Sequence, residues 1–168
     1  MATEQRVITS KIGATPRLNA LASWVPKAAH VFVDVGTNHA ILPILVARRT
    51  HAKLSIGIDR SLLALQDAER KVRRSHCARR IELRLGDGLL ALAAEEVEVV
   101  CLAGLGTANM VRILNDGLAV LQAAWANGTT VRLILHPLGS CAPPRAFLAA
   151  NGFELVADRR VMSRGRSC

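Results

Sequence analysis

The sequence predicts a doubly wound α/β domain built on a mostly parallel sheet. Short apolar runs rich in β-branched residues alternate along the chain with stretches of helical composition, which is the order typical of this class. Several runs are apolar throughout, as expected of strands that are covered on both faces. A length of 168 residues suits one domain. We therefore expect residues 1–168 to form a single domain, with residues 1–16 as an N-terminal extension.

Six strands are predicted from the apolar runs, at 31–35, 53–59, 81–85, 97–103, 129–135 and 153–161. Helical composition and spacing predict helices at 40–49, 61–75, 108–126 and 144–151. Ser61 is a good N-cap residue for the second helix. Gly117 interrupts the third helix. The alternation of these elements, without an internal linker, is what a parallel sheet requires.

Charge and hydropathy restrict the function classes. The chain has 22 Lys and Arg against 13 Asp and Glu, a net charge of +9 that favours an anionic partner. No apolar run approaches the roughly 18–20 residues of a membrane span, and the N-terminus lacks the apolar segment of a secretory signal. We expect no membrane partner and a cytoplasmic location, with a mitochondrial one as the alternative.

The four cysteines do not predict a metal site. They lie far apart, without a CxxC pair, at Cys77, Cys101, Cys141 and Cys168. Zinc sites need clustered ligands, and disulfide frameworks are typical of shorter, cysteine-dense secreted chains. Cys101 lies in an apolar run and is interpreted as a buried thiol. The sequence therefore predicts no metal and a reducing compartment.

Acidic residues lie at or just beyond the carboxyl ends of three predicted strands, at Asp34, Asp59 and Asp87. Ligands of open α/β sheets bind beyond the carboxyl ends of the strands. Asp59 lies 59 − 36 = 23 positions after Gly36, near the spacing of an acid that binds ribose hydroxyls. The first loop has one glycine rather than G-x-G-x-x-G, which disfavours a nicotinamide dinucleotide. An adenosine ligand without a pyrophosphate fits better, and S-adenosylmethionine is the obvious one; the alternative is that each Asp only caps a helix.

Several sequence blocks resemble the bacterial tRNA adenine-N1 methyltransferase family. Residues 34–43, DVGTNHAILP, are similar to its signature DIGTDHAYLP. Further blocks follow the family's order at 17–18 (RL), 84–89 (RLGDGL), 103–106 (AGLG), 133–137 (LILHP) and 151–153 (NGF). The resemblance implies a Rossmann-like class I methyltransferase fold, S-adenosylmethionine as cofactor and methylation of adenine N1 in tRNA.

The resemblance also implies the site residues. The cofactor-binding set is Arg17, Asp34, Gly36, Thr37, His39, Asp59, Asp87, Gly88, Ala103, Gly104 and Leu105. Asp59 is assigned to ribose and Asp87 to adenine. Methyl transfer requires alignment of the reacting atoms and a group that takes a proton from the methylated adenine. Asn38 and His39 are the candidate catalytic residues. Asn38 could hold the adenine amino group but cannot take a proton, so His39, or Asp34 if it is not buried against the loop, would have to take it.

The chain departs from the family pattern at several places. Asn38 replaces the second acid of the signature, and Ile41 replaces its tyrosine. The family's final strand and C-terminal coiled coil are expected to be missing. These departures favour an alternative function, a catalytically inactive methyltransferase-like RNA-binding or assembly factor. A third hypothesis is a methyltransferase for another substrate, with a changed pocket at 136–138.

Basic clusters are predicted to bind the phosphates of tRNA or another structured RNA. They comprise Arg48, Arg49, Lys71, Arg73, Arg74, Arg79 and Arg80. Aromatic residues are only 3% of the chain, which argues against a base-stacking platform. The alternative is that these side chains form solvated helix faces.

Overall fold

The computed structural model describes residues 13–159, 162–163 and 166–167. Its main strands are β1 (Val31–Val35), β2 (Leu54–Asp59), β3 (Ile81–Leu85), β4 (Val99–Gly106) and β5 (Arg132–Leu138). They form one sheet in the order β3-β2-β1-β4-β5, and all four neighbouring pairs are parallel. The change of direction in strand order lies between β1 and β4, where a ligand crevice is expected. The predicted fold class is confirmed.

Six α-helices connect and flank these strands. They are α1 (Pro16–Ser23), α2 (Ile41–Arg49), α3 (Leu62–Arg73), α4 (Thr107–Asp116), α5 (Leu118–Ala126) and α6 (Ala142–Ala150). Short 3₁₀ helices occupy Ala78–Arg80, Gly88–Ala91 and Ala94–Glu96. The Ser61 hydroxyl caps α3 by accepting from the Ala64 amide at 3.2 Å, and Gly117 separates α4 from α5. Both features were predicted, whereas α1 was not.

The core lies on both faces of the sheet, because successive strand residues point to opposite sides. On one face, Val33 and Leu102 pack among apolar residues of α4, α5 and α6. On the other, Phe32, Cys101 and Ile134 pack against α1 and α2. The same alternation places Asp34 and His136 on the α1 face, at the carboxyl end of the sheet.

Two predicted strand boundaries are corrected by the pairing of β4 with β5. Their ladder runs from Val99 opposite Arg132 to Gly106 opposite Leu138. The glycine-rich residues 104–106 therefore end β4 instead of following it, and residues 136–138 belong to β5. A strand ends where its partner strand no longer supplies hydrogen bonds, and the apolar composition of a segment does not reveal where that is.

The sixth predicted strand, 153–161, is wrong in its described part. Residues 153–159 have no strand structure, and residues 160–161 lie outside the described residues. Leu155 and Val156 are exposed, and no described strand pairs with this segment. A separate two-stranded antiparallel ladder joins β6 (Met162–Ser163) to β7 (Arg166–Ser167). Composition favours a strand at 153–159, but a strand also needs a neighbour.

The sequence predicts neither a membrane span nor a metal site, and the described part of the chain was searched for both. No helix there is both long and apolar enough to cross a membrane. No group of three or more His, Cys, Asp or Glu side chains in that part is arranged to hold a metal ion.

Candidate active site

The loop after β1 is held against the end of β2 by backbone hydrogen bonds. The Gly36 and Thr37 amides both donate to the Ile58 carbonyl at 2.9 Å. The loop turns sharply, since Gly36, Asn38 and Ala40 have φ values of 76°, 51° and 53°. Left-handed backbone at non-glycine residues is uncommon and marks a constrained, often functional, loop.

Asp59 fixes both this loop and the start of α3. One carboxylate oxygen accepts from the Asn38 amide at 2.9 Å, and the other accepts from the Ser61 amide at 2.9 Å. Each carboxylate oxygen can accept more than one hydrogen bond. The carboxylate is therefore oriented in advance and retains acceptor capacity for a hydroxyl group of a ligand.

Asp87, beyond the end of β3, is held by an arginine from α4. Arg112 forms a two-pronged contact with it, with Nη2–Oδ1 at 2.9 Å and Nη1–Oδ2 at 3.1 Å. The Arg60 guanidinium lies 4.0 Å from the Asp87 Oδ2 atom. The hydrogen bond from Arg112 keeps the pKa of Asp87 below its usual value. Asp87 is thus an ionised acceptor with a fixed orientation.

These groups surround a cavity of about 410 Å³ at the carboxyl ends of β1, β2 and β3. Six of the predicted site residues line it: Gly36, Asn38, Asp59, Asp87, Gly88 and Leu105. A Cβ at Gly88 would lie 2.8 Å from Ile113, and one at Gly36 would lie 3.1 Å from Leu105. Only glycine fits the crowded, left-handed backbone at these two positions, so the cavity wall is backbone that a ligand can approach closely.

Asp34 lies buried on the α1 face, below the loop. Burial raises its pKa to about 7, and the neighbouring Asp59 carboxylate adds to the rise. The Thr37 hydroxyl and the Arg17 guanidinium oppose the shift. Cys101, opposite Asp34 in the β1–β4 pair, is also buried, and burial and Asp34 raise the pKa of its thiol. Asp34 is therefore the acid in the site most sensitive to pH near neutrality.

The remaining predicted cofactor residues lie around this cavity without lining it. Thr37 is buried against Gly57 of β2. Arg17 reaches the end of β4, where its guanidinium would be 3.3 Å from a Cβ at Gly104. Ala103 is paired with His136 just below this point. His39 faces α3, with its Nδ1 2.6 Å from the Asp67 carboxylate.

A second cavity, of about 160 Å³, lies at the edge of the sheet between α1, β5 and α6. Arg17 and His136 line one end of it, and Trp24 and Leu155 contribute to its walls. Both ring nitrogens of His136 are shielded from solvent and have no hydrogen-bond partner. Burial and the charge of Arg17 lower the pKa of His136, so the ring is neutral at pH 7.

The predicted RNA-binding residues lie at the opposite edge of the sheet. Helices that return between parallel strands end near the amino ends of those strands, and α3 alone is about 18 Å long. The His51 amide bonds to the Lys27 carbonyl, which places the end of α2 beside the segment before β1. None of the seven residues Arg48, Arg49, Lys71, Arg73, Arg74, Arg79 and Arg80 lines either cavity. Lys71 is the nearest to the loop after β1, because it shares the Asp67 carboxylate with His39.

Several of these basic side chains have structural partners. Arg80 donates to the carbonyls of Ala47 and Ala52, and Arg49 donates to the Asn19 side chain of α1 at 2.6 Å. Lys71 pairs with Asp67 at 2.8 Å, and Arg73 pairs with Glu69 at 2.6 Å. Within the described residues, Arg74 and Arg79 make no such contact, which leaves them available to an anionic partner.

Comparison with known proteins decides the family. The model of the "Methyltransferase domain" family matches residues 14–167. The chain belongs to the methyltransferase domain family. The match includes the whole sheet and both cavities.

The relatives of this methyltransferase domain confirm the resemblance found in its sequence. It is 27% identical over 159 residues to the tRNA (adenine(22)-N(1))-methyltransferase of Bacillus subtilis, covering 95% of this chain and 63% of that protein. The crystal structure of the B. subtilis M1A22 tRNA methyltransferase TrmK superposes with a TM-score of 0.82 at 28% identity, over 92% of this chain and 63% of that one. The chain thus spans less than two thirds of this relative.

A Streptococcus pneumoniae protein, Sp1610, is also similar. Its crystal structure gives a TM-score of 0.81 at 32% identity, over 92% of the present chain and 67% of the other. A second structure of Sp1610 is in complex with S-adenosyl-L-methionine, with a TM-score of 0.80 at 32% identity, over 90% and 68% of the two chains.

Sequence reasoning missed the residues that α4 contributes to the methyltransferase site. Asn109 and Ile113 line the larger cavity, and Arg112 holds Asp87. A helix was predicted there, but nothing in the local pattern indicated that Arg112 would pair with Asp87, 25 positions earlier in the chain. Arg60 and Ser61 also line the cavity, and their position directly after Asp59 was an available signal.

Proposed function

We propose that this domain is an S-adenosylmethionine-dependent methyltransferase that modifies adenine N1 in tRNA. One observation carries the proposal: two oriented carboxylates, Asp59 and Asp87, and a wall of glycine backbone meet at one cavity beside the β1 loop. The cofactor supplies an electrophilic methyl group on a sulfonium sulfur. The tRNA relatives support the substrate class, and their bacterial origin supports a cytoplasmic location.

The cavity residues suit the adenosine part of the cofactor. Asp59 has free acceptor capacity for the ribose hydroxyls, and Asp87 is an ionised acceptor for the adenine amino group. The methionine part then extends past Gly36 toward Asp34 and Arg17. Arg17 makes no hydrogen bond or ion pair within the described residues, so its guanidinium is available to a carboxylate. Thr37, Ala103, Gly104 and Leu105 surround the same end.

For methyl transfer, the main task of the protein is to align the attacking nitrogen with the methyl carbon and the sulfur. The adenine N1 lone pair forms the new bond to carbon while the carbon–sulfur bond breaks and its electron pair stays on sulfur. The adenine gains a positive charge, which loss of a proton from its amino group relieves. Asn38 lines the cavity, and His39 stands beside it with a side chain that is 46% exposed. We retain both as candidate catalytic residues on the cofactor side of the site.

Isothermal titration with S-adenosylmethionine and S-adenosylhomocysteine is the first test. We expect micromolar binding of both, about −8 kcal/mol, followed by radiolabelled methyl transfer to unmodified tRNA and loss of transfer when the target adenine is replaced by guanine. Absence of heat and of any thermal shift with both ligands would overturn the proposal. It would favour the RNA-binding factor without activity, which shares the fold but needs no cofactor.

We further propose that Arg74 and Arg79 contact the tRNA backbone away from the target base. Phosphate contacts weaken with salt, each neutralised phosphate adding about one to the slope of log affinity against log salt. The variant Arg74→Glu/Arg79→Glu is expected to lower that slope by about two and to bind S-adenosylmethionine normally. The matched control is Arg73→Glu, because Arg73 is already paired with Glu69. An unchanged slope in the double variant would refute the assignment.

A further inference from the structure

The cavity between α1, β5 and α6 has polar groups that the fold itself does not satisfy. Buried side-chain polar atoms normally have a hydrogen-bond partner. His136 has two such atoms without one, Nδ1 and Nε2, at the carboxyl end of β5. Arg17, at the same end of the cavity, has no ion pair among the described residues. Unpaired polar groups of this kind indicate a binding site in which a polar ligand supplies the missing hydrogen bonds.

The position of the cavity relates it to the methyl-transfer point. Ala103 lies beside His136 in the sheet, and Arg17 reaches over Gly104 of β4. The cavity around Asp59 and Asp87 lies at the carboxyl ends of β1, β2 and β3 and reaches β4 only at Leu105. An acceptor that attacks a methyl group held over the sheet centre must then approach from the β4–β5 half, where the second cavity lies.

The walls of this cavity suit a planar aromatic ring. Its volume of about 160 Å³ is enough to admit one flat ring. Trp24 and Pro137 provide flat apolar surfaces. The planar guanidinium of Arg159 already lies over the Trp24 ring, 5.9 Å from its centroid, so that face of the ring accepts a flat group.

The segment 154–159 covers the cavity and is weakly attached, whereas Phe153 before it is anchored by its amide, which donates to the Leu148 carbonyl at 3.0 Å, and by its ring, which packs on Trp125. Leu155, Ala157, Asp158 and Arg159 line the cavity, yet each is exposed. Besides the contact of Arg159 with Trp24, the segment is tied by an ion pair between Arg145 and Asp158. Exposed ion pairs stabilise little. A ligand can therefore displace this cover and reach the His136 ring.

We infer that this cavity receives the acceptor nucleobase, unstacked from its RNA, with Trp24 stacking on the ring and His136 hydrogen-bonding to its edge. A neutral imidazole offers one donor and one acceptor, and an adenine edge offers an amino donor beside a ring-nitrogen acceptor. Enzymes that modify a base bind it in such a pocket. The inference rests on the proposed function and assigns residues to its acceptor side.

Kinetics of His136 variants test this assignment. For His136→Ala we expect kcat/KM for tRNA to fall at least tenfold, while the Kd for S-adenosylmethionine stays within twofold of the wild type. His136→Gln keeps a donor and an acceptor and is expected to stay within threefold. The matched control is His51→Ala, an exposed histidine at the opposite edge of the sheet. If His136→Ala folds and keeps kcat/KM within twofold, the assignment is overturned.

Tryptophan fluorescence tests the same pocket without turnover. Trp125→Phe leaves Trp24 as the only tryptophan, since the chain has two. With S-adenosylhomocysteine present, a short single-stranded oligoadenylate is expected to quench this variant saturably. Trp24→Phe, in which Trp125 packs on Phe153 at 4.5 Å between ring centroids, is expected to show no quenching. Equal quenching of both variants, or none in Trp125→Phe, would overturn the inference.

The two tests also separate this inference from the proposed function. A wild-type protein that binds no S-adenosylmethionine contradicts the function. Normal cofactor binding and methyl transfer, together with unaffected His136 and Trp24 variants, contradict only the base pocket.

Discussion

The two halves of the carboxyl edge of the sheet differ in how their polar groups are held. Around β1, β2 and β3, each acid at the cavity wall has a fixed partner: two backbone amides for Asp59 and the Arg112 guanidinium for Asp87. Beside β4 and β5, the nitrogens of His136 have no hydrogen-bond partner within the described residues. In the first half the polar groups are already oriented before a ligand binds. In the second half the His136 nitrogens need a ligand to complete their hydrogen bonds.

The difference is what a bisubstrate site requires. Orienting groups in advance lowers the cost of binding a small cofactor. A base that must leave an RNA stack arrives with its own hydrogen-bonding edge, so the groups that meet it can remain unpaired until then. Asp34 lies on the central strand between the two halves, buried and with its pKa raised to about 7.

Neutralising Asp34 is expected to have the largest effect on stability. From about pH 4 to pH 7 the folded protein keeps a proton that the unfolded chain, with an ordinary pKa of 3.8, has released. The free energy of unfolding therefore falls as pH rises through this range, by up to about 4 kcal/mol. Asp34→Asn should remove this fall and raise the stability at pH 8, as measured by urea unfolding.

The control for this prediction is Asp158→Asn, an exposed acid beside the second cavity. It should retain the wild-type pH dependence. If the free energy of unfolding of Asp34→Asn and of the wild type changed with pH in the same way, Asp34 would not titrate in this range. The centre of the site would then carry a permanent negative charge.

The next largest effect is expected from removing the Asp59 carboxylate, which should weaken binding of S-adenosylmethionine to the larger cavity. Asp59→Ala loses the ribose acceptor and the anchor of the Asn38 amide together. We expect S-adenosylmethionine to bind at least about 100-fold more weakly, or about 2.7 kcal/mol, by isothermal titration. Asp158→Ala, in the other half, should bind normally. Wild-type affinity in Asp59→Ala would mean that the larger cavity does not hold the cofactor.

Arg112→Ala should have a smaller effect, because the Asp87 carboxylate remains but loses its orientation. We expect about tenfold weaker binding of S-adenosylmethionine and a pKa of Asp87 nearer its usual value. Arg73→Ala removes a more exposed arginine ion pair, with Glu69 of α3, that lines neither cavity, and it is the control. If Arg112→Ala binds as tightly as the wild type, Asp87 needs no partner, and the contrast between the halves is weaker than the geometry indicates.

Predictions from the sequence were correct where they depended on residues within one strand, helix or loop. The bounds of β1 and β3 agree with the prediction, and Ser61 caps α3 as expected. The acids Asp59 and Asp87 were placed at one edge because parallel strands end together, and both line the cavity. Features that depend on a distant partner were missed or misplaced, including the pairing of Arg112 with Asp87 and the extension of β5 to Leu138.

The amino-acid sequence by itself determined the alternation of strands and helices, the acids and glycines at the strand ends and the family resemblance. Each follows from periodicity, backbone preference or short motifs within one segment. Only the tertiary structure decided that residues 153–159 form no strand, that the basic clusters line neither cavity and that His136 lacks a partner among the described residues. These depend on which segments lie side by side, because hydrogen bonds, burial and charge pairing are properties of neighbours in space.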